Sequence, residues 1–218
     1  LTEDSRVRAL SCLERFRERV TDFPKGSVAA VGTRTLRQAK NSRLFLKTAS
    51  DILGHPISVI AGKEEARLIY LGVSHSLVAE DGKRFVMDIG GGSTELIIGE
   101  NFEPLHLRSL NMGCVSMSRR FFDNGKLNKK CWKKAGIASH LLLRPVRLHF
   151  QEVDWTSATG ASGTIKTVGK VVSELGLDPY IITLDSLYTI RDKMIAAEHL
   201  DKLDLPGLNS DRQPVFAG

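Results

Sequence analysis

The chain has 218 residues, 42% hydrophobic and 26% charged, a balance that excludes collagen, low-complexity disorder and a small disulfide scaffold and suits one or two packed domains. Its formal net charge is +6, and its three cysteines, Cys12, Cys114 and Cys131, are odd in number, widely spaced and without a Cys-x-x-Cys pair, which argues against a disulfide framework or zinc knuckle. No apolar run reaches the roughly 18 to 20 residues that cross a bilayer, so a cytoplasmic protein in a reducing compartment, at most peripheral to a membrane, is expected.

From Glu3 to Val20, Val7, Leu10, Leu13, Phe16 and Val20 recur every three or four residues among charges, which predicts an amphipathic helix. Phe23-Pro24-Lys25-Gly26 ends it. Val28 to Val31 reads as a buried strand, a second helical pattern runs through Leu44, Phe45, Ala49 and Leu53, and Gly54-His55-Pro56 stops it. Ile57 to Ile60 is a further strand, and Glu64 to Ser74 a helix. Alternation of this kind predicts an α/β fold in which helices cover a sheet.

After the polar stretch Glu80-Asp81-Gly82-Lys83, the strands Phe85–Ile89 and Thr94–Ile98 flank Gly90-Gly91-Gly92 as a hairpin with an acid at its tip. A third strand is expected at 105–110, a short helix at 116–122, and a longer helix at 129–150 that Pro145 should kink or end. Trp155 to Ala158 then leads into the glycine turn Gly160-Ala161-Ser162-Gly163-Thr164, followed by a helix through Ile165, Val168, Val171 and Val172, and by another at 184–199.

The excess of positive charge is local. Arg119, Arg120, Lys126, Lys129, Lys130, Lys133 and Lys134 face a single acid, Asp123, within 119–134, while the rest of the chain nearly cancels. Such a cluster favours a polyanionic partner, and because no aromatics interleave with it, nucleic acid is the weaker choice. A plain solvated helix face is the alternative.

Asp88 to Glu95 carries the strongest chemical signal: three glycines let the backbone approach a ligand and aim amides at an anion. Asp88 beside a phosphate-cradling turn would repel the ligand unless a divalent cation lay between them, which points to Mg²⁺, with Glu95 near enough to join its shell. The turn matches neither a Walker A loop nor a dinucleotide fingerprint. The turn at Gly160 to Thr164 opens a helix whose amides favour an anion, although Ser162 or Thr164 could simply cap it. Glu64 and Glu65 fit the first turn of a helix on dipole grounds alone, and Arg34 and Arg37 stand just past a strand end, where α/β proteins place ligands. The six histidines show no metal-ligand spacing.

In order and spacing, Gly32-Thr33-Arg34-Thr35-Leu36-Arg37 with Asn41, Glu64 to Tyr70, Asp88 to Glu95, Met112-Gly113-Cys114-Val115 and Gly160 to Ile165 resemble the exopolyphosphatase and guanosine pentaphosphate phosphohydrolase family of the actin-like superfamily. The segments 99–104 and 205–208 look more like the gamma-proteobacterial exopolyphosphatase branch. The resemblance implies an α/β fold of two ribonuclease H-like lobes with a cleft between them, divided here into 1–63, an incomplete first lobe, and 64–218, a second lobe. It implies that Glu65 is the base that activates water and that Arg37 steadies the terminal phosphoryl group. Asp88 and Glu95 would organise Mg²⁺, and the backbone of Gly90, Gly91, Gly92 and Ser93, with Gly160, Ser162, Gly163 and Thr164, would hold phosphate. Arg119, Arg120, Lys129, Lys130, Lys133 and Lys134 would hold the distal polyanion.

The expected reaction is release of terminal orthophosphate from inorganic polyphosphate by a protein that is a homodimer at full length. Guanosine pentaphosphate hydrolysis, a non-catalytic polyanion-binding module and a sugar-kinase-like phosphotransferase are the rivals. Family members begin with a strand and a first phosphate loop of the Asp-Leu-Gly-Ser-Asn-Ser type, upstream of Leu1 here. The chain therefore reads as an internal piece, expected to bind anions and to hydrolyse them poorly.

Overall fold

The computed structural model describes residues 1–24, 26–78 and 81–218, so Lys25 in the first turn and Glu80 in the polar stretch lie outside the described residues. The chain divides into two compact units, Leu1–Glu65 and Ala66–Gly218.

In the first unit, helix α1 (Glu3–Val20) begins where the Thr2 hydroxyl accepts from the Ser5 amide, and it packs on α3 (Ser42–Leu53). Helix α3 buries Phe45, Ala49 and Leu53, the spacing read from the sequence, and closes on Gly54 in a left-handed conformation (φ 78°). Strands β1 (Ala30–Gly32) and β2 (Ile57–Val59) pair in parallel, in the register Ala30 to Ile57. A short helix, α2 (Arg34–Gln38), follows β1 directly, and α4 (Gly62–Ser76) follows β2.

The second unit is built on one four-stranded sheet with the order β5-β4-β3-β6, where β3 is Lys83–Ile89, β4 Thr94–Glu100, β5 Glu103–Leu110 and β6 Ser157–Ala161. β3, β4 and β5 form an antiparallel meander, and β6 lies parallel to β3. Six consecutive residues of β4, Thr94 to Gly99, are buried, because the central strand is covered on both faces. On one face Ile97 packs with Val86 and with Ala66 and Tyr70 of α4; on the other, Leu96 and Ile98 pack with Val146 and Phe150 of α6 (Lys129–Gln151). A third cluster gathers Met117 of α5 (Cys114–Phe121), Val171 and Val172 of α7 (Ser162–Glu174), and Ile190 and Met194 of α8 (Leu184–Ala197).

Pro145 does not end the long helix, which runs on to Gln151. A proline deletes the hydrogen bond to the carbonyl four residues back and crowds it. Pro145 is exposed and the residue four back, Leu141, is 63% exposed, so water can take that carbonyl while Val146 and Phe150 anchor the following turns in the core.

His149 of α6 and His106 of β5 lie 2.7 Å apart, Nε2 to Nδ1. Burial, then His149, Lys83 and Arg108 hold the His106 imidazole below its ordinary range. The unfolded chain takes up this proton as pH falls through about 6.5, whereas the folded chain resists it until a lower pH. Stability present above that range is therefore lost as pH falls below it. Thermal melts from neutral to mildly acidic pH should show this decline, and His106→Gln should flatten it.

Candidate functional site

Two groups of residues stand where the sequence places its chemistry. The first lies at the carboxyl ends of β1 and β2, the end from which open α/β sheets present ligand crevices. β1 delivers the chain into α2, and β2 delivers it into the first turn of α4, which carries Glu64 and Glu65. Arg37 Nη1 donates to Glu65 Oε2 at 3.0 Å and to the Ile60 carbonyl at 2.7 Å. Both side chains are largely buried, at 22% and 16% exposure. Glu65 is thus more than an acid suited to a helix start: a fixed guanidinium, itself tied to a strand-end carbonyl, holds it in place.

The second group lies at one end of the sheet in the other unit. The hairpin β3–β4 places Asp88 directly opposite Glu95, and β5 places Ser109 opposite Glu95 on the far side. Glu95 is 1% exposed and accepts from the Ser109 hydroxyl at 2.7 Å. A carboxylate so deeply buried requires charged or hydrogen-bonding company, and the three side chains share one face because cross-strand partners do. Paired carboxylates suit Mg²⁺, which takes one or two of them and fills its remaining positions with water and substrate oxygen. Among the described residues no group of three or more His, Cys, Asp or Glu gathers into a metal cage.

The glycine turn between the carboxylates is clamped. Gly90 donates its amide to the Ser93 carbonyl (2.9 Å), so that amide closes the turn and is not directed at a ligand, as the sequence had suggested for all four. Ser93 is buried, at 4% exposure. The amides of Gly91 and Gly92 donate to nothing among the described residues, and Gly91 is exposed. On its other side the turn is bolted to the start of α5: Cys114 donates to the Gly90 carbonyl at 3.0 Å, and Val115 and Ser116 donate to the Gly91 carbonyl at 2.9 and 3.0 Å. The orphan amides of a helix start therefore fix the turn, with its carbonyls facing inward.

The second glycine turn meets the first. Because β6 runs parallel to β3 with Ala161 beside Asp88, Gly160 to Thr164 emerge at the same sheet end as Gly90 to Ser93. Ser162 takes a left-handed conformation (φ 68°), which is uncommon for a residue with a side chain, and its hydroxyl donates to the Ile89 carbonyl at 3.0 Å, tying the two turns together. Helix α7 starts there.

Two residues at this site had not been singled out as site residues from the sequence. A Cβ on Gly113 would stand 2.5 Å from the Gly90 carbonyl oxygen and 2.7 Å from the Gly92 nitrogen, so Gly113 is the surface against which the turn is pressed. A Cβ on Gly163 would run into the Arg212 guanidinium, which brings a cation to the N-terminus of α7 from near the end of the chain. The glycine in Met112-Gly113-Cys114 was visible as a motif without a role, whereas nothing near Arg212 in sequence marks it.

The basic cluster is divided by the fold. Arg119 and Arg120 end α5, with Arg120 over the Phe121 ring at 5.0 Å, while the four lysines begin α6. Lys129 and Lys133 line a groove between α6 and α8; Lys130 and Lys134, one position on, are turned about 100° away. All six are exposed.

A model of the Ppx/GppA phosphatase family matches residues 1–218. A guanosine-5'-triphosphate,3'-diphosphate pyrophosphatase of Vibrio cholerae is 42% identical over 216 residues, 99% of this chain but 43% of its own length, so the chain spans less than half of that relative. An exopolyphosphatase structure from Cytophaga hutchinsonii superposes with a TM-score of 0.83 at 25% identity, over all of this chain and 72% of its own. The Aquifex aeolicus PPX-GPPA enzyme does so with 0.74 at 25%, over all of this chain and 74% of its own. Over its whole length, the chain belongs to the Ppx/GppA phosphatase family and has its actin-like α/β fold.

Proposed function

We propose that this sequence carries the hydrolytic centre of an exopolyphosphatase, which releases terminal orthophosphate from inorganic polyphosphate. The observation that supports it most is the Arg37–Glu65 pair, a carboxylate held by a guanidinium at a strand-end site. Phosphoryl transfer needs little covalent help from a protein; it needs a positioned water and compensation of charge on the phosphate oxygens. Arg37 would turn part of its fork to the terminal phosphate, and Glu65 would then accept a proton from water. The water oxygen bonds to phosphorus, the bridging P–O bond breaks, and its electron pair stays on the shortened chain. The Gly91 and Gly92 amides and Arg212 would hold the phosphates, with Asp88 and Glu95 holding Mg²⁺. When bound, the cation would supply neutralisation of phosphate oxygen charge. The exposed basic residues of α5 and α6 support a long polyanion as substrate.

Guanosine pentaphosphate is the second reading, favoured by the name of the Vibrio relative. The two are separated by measuring orthophosphate release from each by the full-length protein, with and without Mg²⁺ and with the other as competitor. Polyphosphate turnover at a much higher kcat/KM supports the first reading, and selective guanosine pentaphosphate turnover the second. Absence of metal-dependent release from either would sink both.

Arg212 gives a sharper test of the phosphate site. Loss of a charge-assisted contact of about 1.5–3 kcal/mol predicts that Arg212→Ala weakens substrate binding about tenfold or more. The measurement is the KM for polyphosphate, with the melting temperature as control; an unchanged KM would remove Arg212 from the site.

A further inference from the structure

The groove between α6 and α8 has a volume of about 870 Å³, within the range of small-ligand sites, and it shares no residue with the glycine turns. On α6, Lys129, Lys133, Gly136 and His140 recur at spacings of four, three and four, which puts them on one face of the helix. The opposing wall is Tyr188, Arg191, Ile195 and Ala196 of α8. Arg191 lies 4.6 Å over the Tyr188 ring and donates to Asp192 at 2.8 Å, which engages the groove's acid and leaves the two lysines to set its charge. Trp132 also lines the groove, packed edge-to-face against Phe122 at 5.2 Å.

The lysines call for phosphate oxygens. Ile195, Ala196 and the half-exposed Tyr188 ring are a wall that a bare phosphate chain would leave unused, whereas a planar heterocycle could stack there. We infer that the α6–α8 groove is a binding site for a nucleotide, with its base against Tyr188 and Ile195 and its phosphates on Lys129 and Lys133. The inference does not rest on the hydrolytic reading, and its readout is binding.

In a Trp155→Phe background Trp132 is the only tryptophan of the chain, so its emission reports on the groove. Titration with ATP should give a saturable change, at least tenfold tighter than with tripolyphosphate or adenosine. A Cβ at Gly136 meets nothing within 4 Å, so substitutions there enter the groove without disturbing the helix. Gly136→Phe should abolish ATP binding while Gly136→Ala preserves it. Lys129→Glu with Lys133→Glu should weaken it at least tenfold, and this pair decides the matter if circular dichroism shows that Gly136→Phe is misfolded. Tripolyphosphate binding as tightly as ATP would overturn the nucleotide assignment, as would no emission change at millimolar ATP or undiminished affinity in the blocked and charge-reversed variants.

Discussion

Glu65→Gln should lower orthophosphate release from polyphosphate by about 10² to 10⁴, the usual contribution of a positioned general base. The substitution preserves shape, and the amide oxygen can still accept from Arg37 Nη1, which now sits 3.0 Å from the carboxylate. Only the ability to take up a proton is removed. The melting temperature should accordingly stay within a few degrees of the parent, which separates a chemical role from a structural one. The rate is to be measured in the full-length protein at saturating Mg²⁺, beside the 218-residue chain. A wild-type rate in the variant would leave Glu65 as a structural partner of Arg37 and move the search for the base elsewhere.

Gly113→Ala should be nearly as damaging, although it adds a single methyl group and touches no ionisable side chain. The new carbon would stand 2.5 Å from the Gly90 oxygen and 2.7 Å from the Gly92 nitrogen, separations that carbon does not tolerate, and both neighbours are backbone with no rotamer to yield. The glycine turn must shift against α5, which strains the amide bonds from Cys114, Val115 and Ser116 that hold it. On the proposed reading that this turn holds phosphate, a displacement of about 1 Å costs on the order of 10²-fold in rate, and overpacking of this kind destabilises by about 1–3 kcal/mol. Gly136→Ala is the matched control. Its Cβ meets open space on an exposed helix face, so the same chemical change there should stabilise by about 0.5–1 kcal/mol. Equal effects at the two positions in melts and rate assays would show that Gly113 does not brace the turn.

Much of the fold was legible because its determinants are local. The apolar spacing from Val7 to Val20 gave α1 its bounds, Glu3–Val20, and Gly90 to Gly92 between two apolar runs marked the β3–β4 hairpin. Other features depend on a residue's surroundings. Pro145 is ordinarily a helix stop, yet α6 passes through it because that face of the helix is in water and the next turn is anchored by Val146 and Phe150. The helical pattern through Leu44 to Leu53 became α3, whereas α2 was not expected, since its five residues are too few to show a period.

The candidate site divides in the same way. Sequence alone determined the α/β class, the two glycine turns and the carboxylates Asp88 and Glu95, because residue type and short-range spacing carry that information, while the family resemblance of their motifs singled out Glu65 and Arg37. Tertiary structure alone decided that Arg37 holds Glu65, that Ser109 and Asp88 flank Glu95, that Gly113 braces one turn and Arg212 approaches the other, and that six clustered cations separate onto two helices and different faces. These relations join residues 7 to 49 positions apart or depend on a rotation of about 100° per helical residue, and only packing of the elements fixes them.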